Sequence, residues 1–152
     1  MSRIRYAEMT DDHHGDGVVA MMNALYAEDQ ASAPRDPARF ARTLRLFRAE
    51  PARGRVILFL DDNDTLHGYA LLIPLWSNEF GGTIAFVDEL FVHPNSRRAG
   101  IARGFFDFIE TERPFDAVAI ALEVSPKNAG AWKLYESMGL EPRPFTTIVK
   151  TL

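Results

Sequence analysis

The strand-to-helix junction after residue 92 constrains the fold of this chain more than any other feature. The apolar run at residues 84–92 indicates a buried strand. A Pro94-Asn95 turn follows, and apolar residues then recur at helical spacing from Ile101. The sequence therefore predicts a strand that feeds into a helix beginning near Ala99. The junction itself holds two arginines and three small residues: Arg97, Arg98, Ala99, Gly100 and Ala102.

The start of this helix is suited to an anion. The first backbone N–H groups of a helix have no partner within it, and the helix dipole adds partial positive charge there. Arg97 and Arg98 bring two guanidinium groups to the same place. A phosphate or pyrophosphate is the expected ligand. The alternative is a tight turn with a solvated basic edge, because a glycine motif on its own is a weak signal.

Length and composition exclude several classes of protein. A chain of 152 residues predicts one domain, spanning residues 1–152. The net charge of −4 argues against a nucleic-acid partner, and no apolar run is long enough to cross a bilayer. The first ten residues are polar and have no signal-peptide core. The absence of cysteine excludes disulfides, thiolate metal sites and a cysteine nucleophile, and we expect a cytoplasmic protein.

Periodicity along the chain predicts the order β-α-α-β-β-β-α-β-α-β. Helices alternate with strands only in the second half, which favours a mixed α/β sheet with helices on both faces. Strands are expected at residues 3–7, 56–60, 68–75, 83–92, 117–124 and 146–149. Helices are expected around the apolar residues 18–25, 40–47, 101–109 and 131–138, with loops at 31–35 and 76–82.

Two groups of polar residues could be taken for metal sites, but the sequence pattern supports neither. The turn at residues 61–64 is rich in aspartate but lacks the glycine and the terminal glutamate of a calcium loop. His13 and His14 lie at the start of a helix with no partner at metal-ligand spacing. We therefore expect no metal.

A second set of candidate residues lies on the last helix. Asn128 stands where that helix begins, and Tyr135 lies seven positions later on the same face. Asn128 is either a helix cap or a ligand contact. Tyr135 is either a core aromatic residue or a proton donor.

Together these segments resemble the GNAT superfamily of acetyl-coenzyme A-dependent N-acetyltransferases. Arg97, Gly100 and Ala102 match the family's phosphate-binding motif, and residues 89–94 look like its central strand. Residues 128–140 match its later helix. The resemblance covers nearly the whole chain. It implies the GNAT acyl-coenzyme A N-acyltransferase fold, in which helices flank both faces of a mixed, mostly antiparallel sheet.

The resemblance also implies roles for the matching residues. Acetyl-coenzyme A would be the co-substrate, and its pyrophosphate would bind the backbone N–H groups between Arg98 and Arg103. Asn128 would contact the cofactor arm, and Tyr135 would protonate the departing thiolate. The family works by direct attack without an acyl-enzyme, and a homodimer is expected. The implied cofactor contacts are Leu90, Phe91, Val92, Arg97, Arg98, Ala99, Gly100, Ile101, Ala102, Arg103 and Asn128.

Direct attack requires a base near the acceptor. An alkylamine has a pKa of about 10.4, so its neutral form at pH 7 costs roughly 4 to 5 kcal/mol. Asp88 and Glu89 are the candidates, because they interrupt an apolar strand. Neighbours on a strand point to opposite faces, so at most one of them is expected to face the cleft. Both could instead be structural acids.

A finer resemblance concerns the acceptor. Residues 68–92 look like the polyamine and thialysine acetyltransferase branch, which has an acid pair at this point of its central strand. Asp88 matches the first acid, where the branch more often has Glu. Trp76 and Glu79 would hold a cationic substrate, or they are ordinary loop residues. The sequence thus predicts acetyl transfer to a small cationic amine. The alternatives are a protein or peptide N-acetyltransferase and a non-catalytic module that binds acyl-coenzyme A.

Overall fold

A computed structural model describes residues 2–28 and 34–152. No helix within these two ranges has the length and apolar character needed to cross a membrane. Two single 3₁₀ turns, Pro94–Ser96 and Pro114–Asp116, connect the main elements. Those elements are β1 (Arg5–Glu8), α1 (Gly15–Glu28), α2 (Pro37–Ala49), β2 (Arg55–Leu60), β3 (Leu66–Ser77), β4 (Gly82–Val92), α3 (Ile101–Glu112), β5 (Ala119–Leu122) and α4 (Ala129–Ser137).

The five strands form one mixed sheet in the order β1-β2-β3-β4-β5. The first four strands are antiparallel to their neighbours, and β5 pairs parallel with β4. Short turns join β2 to β3 and β3 to β4, α1 and α2 lie between β1 and β2, and α3 makes the crossover that the parallel pair of β4 and β5 requires. The mixed, mostly antiparallel fold class predicted from the sequence is confirmed, and so is the element order as far as α4.

Helices cover both faces of the sheet because β2 is apolar at every position after Arg55. Val56 and Leu58 point toward α1 and α2 and pack with Met22 and Leu44. Ile57 and other alternate residues point to the opposite face, where α3 contributes Phe105 and Phe106. A strand buried on both sides needs apolar residues in both phases of its alternation.

Local residues determine where two helices and one turn begin or end. The Asp36 carboxylate accepts hydrogen bonds from two N–H groups at the start of α2, and Pro37 is the first residue of that helix. Gly139 takes a positive φ of 82° directly after Met138, the C-cap of α4. The Asp61 carboxylate accepts the N–H groups of Asn63 and Thr65, so residues 61–64 form a hydrogen-bonded turn.

Three sequence predictions need correction. The strand expected at residues 146–149 is absent from the described structure, because that segment follows two prolines, lacks a partner strand and is exposed. Trp76 and Ser77 belong to β3 rather than to a loop, since they pair with Thr83 and Gly82. α3 begins at Ile101 because Gly100 adopts a left-handed conformation. Residues 31–33 of the expected loop lie outside the described residues.

Two irregularities in β4 open the sheet. Leu71 pairs with Glu89 and Leu72 pairs with Val87, so Asp88 is an extra residue with no opposite partner. This is a β-bulge, which interrupts the ladder and increases local twist. The parallel pairing of β4 with β5 ends at Val87. β4 and β5 therefore diverge from Asp88 onward and leave a gap between them.

Candidate active site

A cavity of about 690 Å³ fills the gap between the diverging strands. Its walls come from the second half of β4, the segment after β5, and the starts of α3 and α4. Its size lies within the usual range for small-molecule sites. The predicted site residues that line it are Asp88, Glu89, Leu90, Phe91, Val92, Arg97, Arg98, Gly100, Ile101, Ala102, Arg103, Asn128 and Tyr135.

One end of the cavity presents uncovered backbone N–H groups. The Gly104 N–H donates to the Gly100 carbonyl, which closes the first turn of α3. The preceding N–H groups therefore have no partner inside the helix. Gly100 has φ 78°, and a side chain there would meet no atom within 4 Å. Arg98 also has a positive φ, of 64°. Successive amides in such a turn form a concave anion site.

The four basic side chains at this end are not equivalent. Arg97 donates from Nη2 to both carboxylate oxygens of Glu28, at 2.8 and 3.0 Å, and from Nε to the Val92 carbonyl. This side chain therefore connects the junction loop, residues 93–100 between β4 and α3, to α1. Arg98, Arg103 and Lys133 also line the cavity, and Arg103 donates to Ser137 Oγ at 2.6 Å.

A series of hydrogen-bonded side chains connects the junction loop to the β2–β3 turn. One ring nitrogen of His67 lies 2.8 Å from Ser96 Oγ, and the other lies 3.1 Å from Asp61 Oδ2. The Thr65 N–H and the hydrogen bond from His67 lower the pKa of Asp61 to about 2. The loop is thus fastened to the β2–β3 turn as well as to α1.

Acidic side chains line the middle of the cavity. Asp88, at the bulge, is exposed to it, and burial by the cavity walls together with the charge of Glu123 raises the pKa of the Asp88 carboxyl. Glu123 follows the end of β5 and lines the same cavity. The structure therefore brings together two carboxylates that are 35 positions apart in the sequence.

Glu89 is held more tightly than Asp88. Its two carboxylate oxygens accept hydrogen bonds from the hydroxyls of Tyr26, at 2.9 Å, and Tyr69, at 2.8 Å. Burial raises the pKa of Glu89 although both hydrogen bonds oppose the rise. Burial and the nearby Glu89 carboxylate raise the pKa of Tyr26 to about 12, and they raise the pKa of Tyr69 as well. Glu89 thus joins α1, β3 and β4.

Asn128 and Tyr135 belong to the part of the cavity wall formed by α4 and its N-cap. The Asn128 side-chain oxygen accepts the Ala131 N–H at 3.1 Å, so it caps α4 while lining the cavity. Tyr135 is half-buried, and its ring packs edge-on against Phe106 with the ring centres 5.7 Å apart. Both residues therefore have a structural role, and both also face the cavity.

The remaining predicted site residues lie outside this cavity. Trp76 is 75% exposed and pairs with Thr83, five residues before Asp88 on β4. That separation is about 16 Å along a strand. Glu79 forms an ion pair with Arg143 at 2.7 Å, beside a second groove. Ala99 is in the junction loop but does not line the cavity.

Sequence reasoning missed Glu123, Tyr26 and Tyr69. Glu123 ends an apolar run, as Asp88 interrupts one, and this shared pattern was an available signal. Tyr26 and Tyr69 carried no such signal, because each occurs within an apolar pattern that a core aromatic residue satisfies equally well.

Comparison with known proteins gives a consistent result. The family model described as "Acetyltransferase (GNAT) family" matches residues 19–140. A crystal structure of a possible acetyltransferase from Clostridium difficile 630 has a TM-score of 0.82 at 17% identity, covering 98% of this chain and 97% of that one. Ribosomal-protein-alanine N-acetyltransferase from Brucella melitensis biovar Abortus 2308 has a TM-score of 0.71 at 18% identity, covering 98% and 100%. No curated protein matches the chain.

Proposed function

Because the chain belongs to the GNAT family of acetyltransferases, which use acetyl-coenzyme A to acetylate amines, we propose that its acceptor is a small cationic primary amine. The amine attacks acetyl-coenzyme A directly in a ternary complex. The observation that carries this proposal is the opposite charge at the two parts of one cavity. Amides, Arg98 and Arg103 suit a pyrophosphate at one end, whereas Asp88 and Glu123 suit an ammonium group in the middle.

Asp88 is our candidate for the general base. It is exposed to the cavity, and no hydrogen bond or ion pair engages its carboxylate within the described parts of the chain. Both oxygens of Glu89 already accept tyrosine hydroxyls, so Glu89 is better suited to positioning β4. A raised pKa brings Asp88 closer to the working pH of a base. Glu123 would help to hold the ammonium group before its proton leaves.

The acceptor ammonium loses a proton to Asp88, directly or through water, and its nitrogen attacks the thioester carbonyl. The C–S bond breaks, the coenzyme A thiolate takes a proton from the Tyr135 hydroxyl, and the proton that the attacking nitrogen still has to lose returns to the Tyr135 oxygen, directly or through water; Asp88 then releases its proton to solvent. An amide and free coenzyme A are the products. The acid pair at the bulge also supports the finer assignment to the polyamine and thialysine branch.

A free-thiol release assay tests the proposed acceptor. We expect acetyl-coenzyme A turnover with diamines and polyamines that exceeds turnover with neutral amines and with peptides. Preference for peptide or protein amines would favour protein acetylation instead. Saturable acetyl-coenzyme A binding with no turnover on any amine would indicate a non-catalytic binding module.

Tyr135→Phe tests the proposed proton donor. We expect kcat to fall by about 100-fold, the scale of general acid catalysis, because the thiolate would leave without a proton. The ring packing against Phe106 is retained, so acetyl-coenzyme A affinity in titration calorimetry should be unchanged. Equal turnover in the variant and the parent would remove Tyr135 from the mechanism.

We also propose a homodimer, built on the C-terminal segment 143–152 and on β5. This segment exposes Phe145, Ile148 and Val149, by 75 to 91%. β5 pairs only with β4 in the described sheet, so its other edge is open, and a groove of about 1260 Å³ separates it from the segment. An open edge and an exposed apolar segment on one chain form a self-complementary pair of surfaces.

The double substitution Ile148→Asp with Val149→Asp tests this dimer. We expect light scattering after size exclusion to give a dimer for the parent and a monomer for the variant, since two charges cannot be buried unpaired. Lys150→Asp is the matched control in the same segment and should stay dimeric. A monomeric parent would contradict the proposal.

A further inference from the structure

A cluster of metal-ligating side chains lies outside the cavity. His13 and His14 precede α1, and Asp64 lies on the turn between β2 and β3, 50 residues further along the chain. Among residues 2–28 and 34–152 this is the one group of three His, Cys, Asp or Glu side chains with ligand atoms within 4.8 Å of one another.

Two distances in this cluster are close to those between the ligands of a tetrahedral metal ion. Asp64 Oδ2 lies 3.2 Å from His13 Nε2 and 3.1 Å from His14 Nε2. Ligand atoms bound to zinc at 2.0–2.1 Å in a tetrahedral arrangement lie about 3.3 Å apart. Both imidazoles therefore place Nε2 beside the same carboxylate oxygen, at a distance close to that between two ligands of one zinc ion.

Neighbouring groups hold the three side chains in place. Arg5 donates to the other oxygen of Asp64 at 2.6 Å, which orients Oδ2 toward the histidines. Hydrogen-bonded carboxylates of this kind are common around metal centres. The Asp61 carboxylate fixes the turn on both sides of Asp64, and the His13 N–H donates to Asp11 Oδ1. His14 is also the less exposed histidine, with 15% of its side chain accessible.

We propose that His13, His14 and Asp64 form a surface site for a divalent transition metal, of which Zn²⁺ is the expected occupant. Two imidazoles and one carboxylate suit zinc and leave a fourth position for water. Ca²⁺ and Mg²⁺ are excluded by the ligand set, because both prefer oxygen ligands throughout. The ion would fasten the start of α1 to the β2–β3 turn.

Titration of metal-free protein with Zn²⁺ against a chromogenic zinc indicator tests this site. We expect one Zn²⁺ per chain, and His14→Ala and Asp64→Asn should each weaken binding at least about tenfold. His93→Ala is the matched control, because His93 is exposed and lies outside the cluster. Unchanged zinc affinity in a His13→Ala/His14→Ala double variant, or binding of less than one equivalent by the parent, would overturn the proposal.

Thermal unfolding gives a second readout that is independent of acetyl transfer. A ligand that binds only the folded chain raises Tm, by about 5 to 10 °C at a hundredfold excess over Kd for a chain of this size. We expect this rise with Zn²⁺ and not with Mg²⁺. His13→Ala should reduce this rise to about half or less, and the variant should fold normally because 71% of the His13 side chain is exposed. A similar rise in that variant would contradict the site.

Discussion

Asp88→Asn is expected to lower kcat by about 10²- to 10⁴-fold, which is the usual contribution of a general base. The amide is nearly the same size as the carboxylate but cannot accept the proton of the ammonium group. Acetyl-coenzyme A affinity should not change, because the junction loop and the start of α3 are untouched. Steady-state kinetics and titration calorimetry measure the two effects separately.

The pH profile distinguishes a base from a merely structural acid. Burial and Glu123 raise the pKa of Asp88, so the base form accumulates only as the pH rises through that elevated pKa. The acidic limb of kcat/KM in the parent should therefore lie above the usual aspartate range, and Asp88→Asn should lose it. Asp62→Asn, on the exposed β2–β3 turn, is the matched control and should keep the parent profile. A retained limb in Asp88→Asn would exclude Asp88 as the base.

The same substitution has an expected effect on stability. A carboxyl group whose pKa is higher in the folded chain than in the unfolded chain destabilises the fold as the pH rises through that interval, and continues to do so above it. Asparagine cannot ionise. At pH 7 the Tm of Asp88→Asn should therefore be equal to or higher than that of the parent. A lower Tm would show that the carboxylate supports the sheet.

Gly100→Val is expected to weaken acetyl-coenzyme A binding by about 100-fold. A β-branched residue strongly disfavours the left-handed φ of 78°, so the loop must rearrange and the amides at the start of α3 must move. Two hydrogen bonds to a charged group at about 1.5 kcal/mol each account for an effect of this size. Titration calorimetry with acetyl-coenzyme A measures it.

Gly81→Val is a closely matched control for that substitution. Gly81 has φ 65° in the β3–β4 turn, and a side chain there would also meet no atom within 4 Å. The two substitutions therefore introduce similar backbone strain, and thermal unfolding should show similar losses in Tm. Equal affinity losses in both variants would mean that the effect is general destabilisation rather than damage to the anion site.

Local patterns predicted most of the elements because each depends on residues close together in the sequence. The apolar periodicity of α3, the Asp36 cap and the apolar β2 were all readable before the structure. The strand expected at residues 146–149 did not form because a β-prone segment becomes a strand only beside a partner, and these residues have none in the described chain. The local sequence pattern does not specify which strands will pair in the folded chain.

Part of the candidate site could likewise be predicted from the sequence, and part could not. The junction loop and Asp88 were identifiable from the sequence, since both belong to one continuous segment. The contact of Asp88 with the charge of Glu123 depends on the parallel register of β4 and β5. The grouping of His13 and His14 with Asp64 depends on the packing of two turns that are distant in the sequence. Sequence spacing alone contains neither relationship.

Because Asp88 has no partner on β3, a substitution at this position can alter the reaction with the acceptor without disturbing the pairing of the strands. Because no residue of β3 lies opposite it, a different side chain at this point breaks no cross-strand pair. Replacement by glutamate, which keeps the carboxylate but lengthens the side chain, can therefore arise without a compensating change elsewhere in the sheet. A chain built this way can change the amines it accepts over evolutionary time while its architecture stays constant.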